Sequence, residues 1–374
     1  MSSRQIIVGC VATLMLIGLV MVYTNTAVAR GINPLENRPV TKQLTWVLLS
    51  VAALISFAHI DYHGLARHSR LLMLLTFAGL AAVLLFGTRL NGARRWFRLG
   101  PFSFQVSEIA KIAIILYVAD FISRKREVLR EFRRGVLPPV IVLAVTFGLI
   151  MLQPDFGTAA LIGAVVLTLL IVAGARPAHV GSLVALALPA LFLLVRMREY
   201  RWRRMIVFLD PWADPQGAGY HVVQSLIALA CGGWTGAGAG RGLQQYGFLP
   251  EAETDFVFSI IGQETGFVGC VLLMTVFVAL VYAGMRVARS APDTLGAMLA
   301  AGVTILIGYQ MLINVGVAAS ALPTKGISLP FVSFGGSSLL ALSAGVGIVL
   351  NVSRHCPREA APRVRGAIPK ESAA

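Results

Sequence analysis

Apolar runs without a charge, each about as long as a bilayer is thick, set the first limit on this chain. A spanning helix needs roughly 20 largely apolar residues. Such runs occupy 5–29, 43–60, 71–88, 135–154, 156–175, 177–195, 265–285, 294–324 and 326–353. A weaker run covers 100–122 and is interrupted by Glu108 and Lys111. Counting it gives ten. A water-soluble core has no room for so many: 57% of the residues are hydrophobic and only 13% are charged. The expected fold class is an all-α polytopic membrane protein of ten transmembrane helices, because in lipid each helix satisfies its own backbone. A large outer loop, about 196–255, separates helices 7 and 8. The first run is long enough to span and reads as a helix rather than a cleaved leader.

The piece GYHVVQSLIALACGGWTGAGAG (219–240) has an apolar part only about half a span long, and its end is rich in glycine. It is expected to be re-entrant or interfacial. The expected organisation is one membrane domain, 1–353, followed by a basic tail, 354–374.

Lys and Arg in short loops set the orientation. The loop SRKREVLREFRRG (123–135) carries six of them and is expected to be cytoplasmic. With ten spans both termini are then cytoplasmic, and the basic tail agrees. Two basic segments fall outside: NGARRWFRLG (91–100), and the long loop that begins REYRWRRMIVFL. They run against the usual bias. Amphipathic helices lying on the headgroups, anchored by Trp96, Trp202 and Phe208, would explain them. So would a site for an anionic substrate. A net charge of +15 fits anionic lipid or an anionic substrate, and no soluble basic domain exists to hold nucleic acid.

Charges at membrane depth are costly and tend to be paired or functional. Glu108 and Lys111 are three residues apart and can pair on one helical face. Asp155, in LQPDFGT, is placed to cap the following helix. Lys325 lies in LPTKGISLP, between two strongly apolar runs. Glu264 falls near or within the membrane and is expected to find an arginine partner. The four cysteines and six histidines show no ligand spacing, so no metal site is expected.

Three acids, Glu251, Glu253 and Asp255, alternate in LPEAETDFVF (249–258), in a chain with 17 acidic against 32 basic residues. Thr254 or Asp255 capping the next helix accounts for one or two of them. A general base held at the outer membrane surface, near cations for an anionic leaving group, would account for the cluster.

Five motifs in order carry a resemblance over nearly the whole chain: NGARRWFRLGPFSFQVSEIAK (91–111), LQPDFGT (152–158), FLDPWADPQGAGYHVVQSLIALACGGWTGAG (208–238), FLPEAETDF (248–256) and LPTKGISLPFVSFGGSSLL (322–340). The chain resembles the SEDS family (shape, elongation, division and sporulation), peptidoglycan glycosyltransferases typified by RodA and FtsW. Its Pro-Thr-Lys-Gly is closer to the division type. The resemblance implies Asp255 as catalytic base, and Arg95, Glu108, Lys111, Glu264, Lys325 and Ser337 as substrate-binding residues. It implies lipid II as substrate, undecaprenyl pyrophosphate as leaving group, and a class B transpeptidase among its partners in the divisome or elongasome. No cofactor is expected to be built in, although substrate phosphates can bring a divalent cation, Mg or Mn. The implied location is the bacterial inner membrane. A lipid II flippase and a non-catalytic scaffold for the transpeptidase are the alternatives. The chain departs from the family pattern at Glu253, where histidine is usual, at Gln263-Glu264 for Glu-Glu, and at Val106 for proline.

Overall fold

The structure, a computed structural model, describes residues 2–25, 38–90, 93–100, 102–197, 199–217, 219–240, 254–324 and 326–356. The chain opens with α1 (Ser3–Tyr23), α2 (Arg38–His59), the short α3 (Tyr62–Arg67) and α4 (Ser69–Phe86). Three strands follow: β1 (Thr88–Leu90), β2 (Ala93–Leu99) and β3 (Phe102–Gln105). Then come α5 (Val106–Arg124), α6 (Leu137–Leu152), α7 (Phe156–Val172), α8 (Pro177–Arg196), α9 (Glu199–Leu209) and α10 (Tyr220–Gly232). The last three are α11 (Val257–Ser290), α12 (Thr294–Ala318) and α13 (Gly336–His355).

Among the described residues, seven helices are long and apolar enough to cross a membrane: α1, α2, α4, α6 with the turn before it, α11, α12 and α13. Segments α7 and α8 are apolar but shorter by the same measure. The 19 residues of α5 are mostly apolar but carry two charged pairs, Glu108 with Lys111 and Asp120 with Arg124. Large apolar side chains such as Leu74, Phe86, Leu152 and Leu186 point outward. So much outward apolar surface suits lipid rather than water. The chain is a helical, multi-pass membrane protein.

Local chemistry sets the boundaries. Ser2 and Gln5 form a reciprocal capping box at the start of α1. Asp155 caps α7 by accepting from the Thr158 amide at 3.3 Å, as expected. Asp293 caps α12 through the Gly296 amide at 2.6 Å. The core lies where α5, α12 and α13 meet. A Cβ on Gly345 of α13 would come within 2.9 Å of Ile112 in α5 and 3.2 Å of Val303 in α12.

The segment after α4 is not helical, which corrects the all-α expectation. β1, β2 and β3 make an antiparallel sheet, with Trp96 opposite Gln105 and Arg98 opposite Ser103. Along β2, Arg94, Trp96 and Arg98 alternate with Arg95, Phe97 and Leu99. That period of two belongs to a strand. Gly100, at φ 61°, turns the chain into β3. The half-length apolar piece does form the short helix α10, and it ends in a glycine-rich turn.

Candidate active site

The turn that carries Asp255 leads into α11. The cap position of that helix falls to Phe256, one residue past Asp255, and the Phe256 side chain makes no capping hydrogen bond. The turn is tied to segments far away in the chain. Asn314, near the end of α12, donates through Nδ2 to the Asp255 carbonyl at 2.9 Å and to the Ile327 carbonyl at 2.9 Å. Ser333 Oγ donates to the Thr254 carbonyl at 2.6 Å and accepts from the Leu329 amide at 2.8 Å. The Asp255 carboxylate faces Gly326, where a Cβ would lie 3.2 Å from Oδ2. His221 of α10 stacks on Phe256, with ring centroids 6.1 Å apart.

The loop beside this turn leads straight into α13. Ser328 Oγ donates to Ser338 Oγ at 3.3 Å, and Ser337 is buried in the first turn of the helix. Within the loop Phe331 sits at φ 64°, a region that a bulky residue rarely adopts. The structure therefore joins Asp255 to the motif that contains Ser337. Lys325, Glu251 and Glu253 lie outside the described residues. So do the side chains of Arg201, Arg203 and Arg204.

Glu108 and Lys111 form the expected pair, with Lys111 Nζ 2.6 Å from Glu108 Oε2 and both residues buried. Beside them Ser107 Oγ has no hydrogen-bond partner among the described residues. The same holds for Gln310 Oε1 and Asn314 Oδ1 of α12 and Ser343 Oγ of α13. Buried polar atoms are normally satisfied. Four such atoms on the three central helices mark a polar interior that water or a polar ligand would complete.

Two expected site residues have scaffold partners. Arg95 donates through Nε to the Gln153 carbonyl at 2.8 Å and through Nη2 to the Pro154 carbonyl at 2.6 Å. With Gln105 donating to Asp155 Oδ2 at 3.2 Å, it fastens the sheet to the α6–α7 corner. Glu264 accepts from the Gly240 amide at 3.0 Å. The backbone beside it is bridged to the glycine turn as well, since Ala237 and Gly238 donate to the carbonyls of Gln263 and Glu264. Glu264 thus holds the turn after α10 against α11.

Asn314, Ser333 and His221 were not singled out from sequence. Asn314 had a signal, being an amide inside the apolar run 294–324, where polar side chains are costly. Ser333 lay unremarked inside a quoted motif. Among the described residues, no group of three or more His, Cys, Asp or Glu could hold a metal ion.

Comparison with known proteins places this arrangement. A family model described as cell cycle protein, FtsW/RodA/SpoVE, matches residues 4–357. Stage V sporulation protein E of Bacillus subtilis is 39% identical over 345 residues, covering 91% of this chain and 94% of that protein. A Geobacter sp. (strain M18) protein named probable peptidoglycan glycosyltransferase FtsW is 39% identical over 344 residues, covering 90% and 92%. A solved chain described under structural coordination of polymerization and crosslinking by a peptidoglycan synthase complex superposes with a TM-score of 0.76. It is 28% identical and covers 93% of this chain and 96% of its own. The Thermus thermophilus rod shape determining protein RodA gives a TM-score of 0.70 at 28% identity, covering 93% and 95%. A match that begins in α1 and runs past the end of α13, with relatives similar along nine-tenths of their length, means that this chain belongs to the FtsW/RodA/SpoVE family of cell cycle proteins.

Proposed function

We propose that this protein is a peptidoglycan glycosyltransferase that polymerises lipid II, with Asp255 as its general base. The observation that carries the reading is the placement of the Asp255 carboxylate. It lies against Gly326, where the start of α11, the end of α12 and the loop that leads into α13 meet.

Ten helices are read as crossing the membrane: α1, α2, α4, α5, α6, α7, α8, α11, α12 and α13. The basic segment between α5 and α6 then faces the cytoplasm with both termini. The Asp255 turn, the Gly326 loop and the sheet share the opposite face of the inner membrane, where lipid II would be polymerised. In the reaction Asp255 takes the proton from the 4-hydroxyl of the acceptor GlcNAc. That oxygen bonds to the anomeric carbon of the donor MurNAc, the bond from that carbon to the pyrophosphate oxygen breaks, and undecaprenyl pyrophosphate departs. One displacement inverts the anomeric centre.

The departing charge calls for cations. Lys325 precedes Gly326 and is the candidate nearest in sequence. Arg95 is already committed to two carbonyls, so its share is to hold the sheet. A divalent cation would arrive with the pyrophosphate oxygens. A class B transpeptidase is the partner this reading implies, as is assembly with other divisome or elongasome proteins. The buried Glu108–Lys111 pair is the feature that favours a lipid II flippase instead.

The test is polymerisation of labelled lipid II by purified protein with its transpeptidase, comparing the parent with Asp255→Asn. Polymer from the parent alone, at equal folding, supports the glycosyltransferase and its base. Equal polymer from both removes Asp255 from the role. No polymer from either, with lipid II movement that depends on Glu108, favours the flippase.

A further inference from the structure

We propose that Asn314 is a positioning residue for this reaction, clasping the Asp255 turn to the loop after Lys325 through two hydrogen bonds from one amide nitrogen. The inference rests on the reading of Asp255 as base.

The assignment of the amide is forced by its surroundings. The atom that faces the carbonyls of Asp255 and Ile327, both at 2.9 Å, must be the donor, because two carbonyls offer only acceptors. Both protons of Nδ2 are therefore in use. The other end of the amide, Oδ1, is buried with no hydrogen-bond partner among the described residues. An amide in an apolar helix that spends both its protons on two distant backbone carbonyls is being used for its donors.

What those donors join is specific. One goes to the backbone of the residue that carries the candidate base. The other goes to the backbone one residue past Gly326, whose Cα faces that base's carboxylate. Ser333 closes the same turn from a second side through the Thr254 carbonyl. Asn314 thus fixes the separation of the two segments between which the reacting sugars would lie. A displacement on the order of 1 Å at a reacting group can lower a rate about 100-fold.

A nearby bond serves as the structural comparison. Ser225 Oγ donates to the Ala318 carbonyl at 2.7 Å and meets Ser259 Oγ at 2.6 Å. It fastens α10 to the end of α12 and is as buried as Asn314, yet it makes no bond to the Asp255 turn.

The experiment measures lipid II polymerisation rates against lipid II concentration, and backbone hydrogen exchange, on the full chain with its transpeptidase. The proteins are the parent, Asn314→Ala, Asn314→Asp, Ser225→Ala and Asp255→Asn. Asn314→Asp keeps the size and removes the paired donors, so it serves if the alanine variant does not fold. The expected result is a kcat lower by about 10- to 100-fold with KM changed less than about threefold. Exchange should quicken at 254–258 and 326–332 together. Ser225→Ala should slow kcat less than about threefold, as expected of a bond that orders packing alone. The proposal is overturned by a loss confined to KM, by an unchanged kcat, or by a fall in kcat without faster exchange in both segments. If Asp255→Asn polymerises like the parent, the base assignment fails by itself, and the exchange data still decide whether Asn314 is the clasp.

Discussion

The Asp255 carboxylate and Gly326 are close enough for a single methyl group to matter. A Cβ on residue 326 would stand 3.2 Å from Oδ2, so the carboxylate would have to give by a few tenths of an ångström. Gly326→Ala is expected to lower the initial polymerisation rate about 10-fold while the protein still folds and melts like the parent, since general base catalysis depends on that geometry. Rates and melting measured on one preparation check it, and a rate within twofold of the parent would count against the placement. At this level the three-residue spacing of Glu108 and Lys111 made their ion pair legible. The alternating acids marked a cluster, and only the family resemblance singled out Asp255 within it. Asn314 and Ser333 were not legible as partners. Their acceptors lie 59 and 79 residues away in the chain, and no local pattern records such a pairing. The carbonyl partners of Arg95 advertise nothing in a sequence.

The long α11 is two helices. Gly266 interrupts it at φ 68° and ψ −167°, a conformation open in practice only to glycine. The glycine turn after α10 enters that break, where Phe267 and Val268 donate to the carbonyls of Gly233 and Trp234. Gly236, at φ 85°, lies directly against the Glu264 carbonyl. A side chain at 266 would both strain the backbone and press on the Gly236 nitrogen. Gly266→Ala is expected to cost about 1–3 kcal/mol and lower the melting temperature by several degrees. A thermal melt of the detergent-purified protein checks this, and an unchanged melt would mean that the break is not enforced by glycine. The half-span length of the apolar part of 219–240 announced a short element, and it is a 13-residue helix followed by a turn. The break in α11 was hidden because one glycine in an apolar run is ordinary. The sheet was missed for a different reason. The Arg and Trp of 91–100 left an interfacial helix and an anionic-substrate site open, and neither reading used the period of two along β2 or the turn signal of Gly100-Pro101.

At the face opposite Asp255, the ends of the helices are fastened by a polar cluster that joins the first third of the chain to the last. His63 Nε2 lies 2.7 Å from Asp293 Oδ2, and its Nδ1 lies 3.0 Å from Asp61 Oδ1. Tyr62 donates its hydroxyl to Asp293 at 2.9 Å, and its amide donates to Asn351 of α13 at 3.2 Å. His355 packs edge-on against Tyr62, and Arg354 reaches His59 at 3.3 Å. Burial alone would pull the His63 pKa down, but the hydrogen bonds and charges of Asp61 and Asp293 outweigh it and raise it above the ordinary 6.5. Burial likewise pushes Asp293 up. The Gly296 amide, Tyr62 and His63 outweigh that and hold it below 3.8. Asp61 is held low first by the His63 amide. The histidine contribution is complete below pH 6.5 and is lost as pH rises through its raised value. The carboxylate contributions are complete above pH 3.8 and are lost as pH falls through their depressed values. The cluster therefore holds the helices best between those limits. His63 is half exposed, so solvent screening keeps its share small, on the order of 1 kcal/mol or less. The expected outcome is a parent whose melting temperature falls modestly from about pH 6 to about pH 8.5, and a His63→Gln variant whose melting temperature stays level over that range, because glutamine has no proton to lose. Identical slopes in the two proteins would show that the pH dependence arises elsewhere. Melting curves at matched ionic strength separate the cases, because added salt should flatten the parent toward the variant if the cluster is the source.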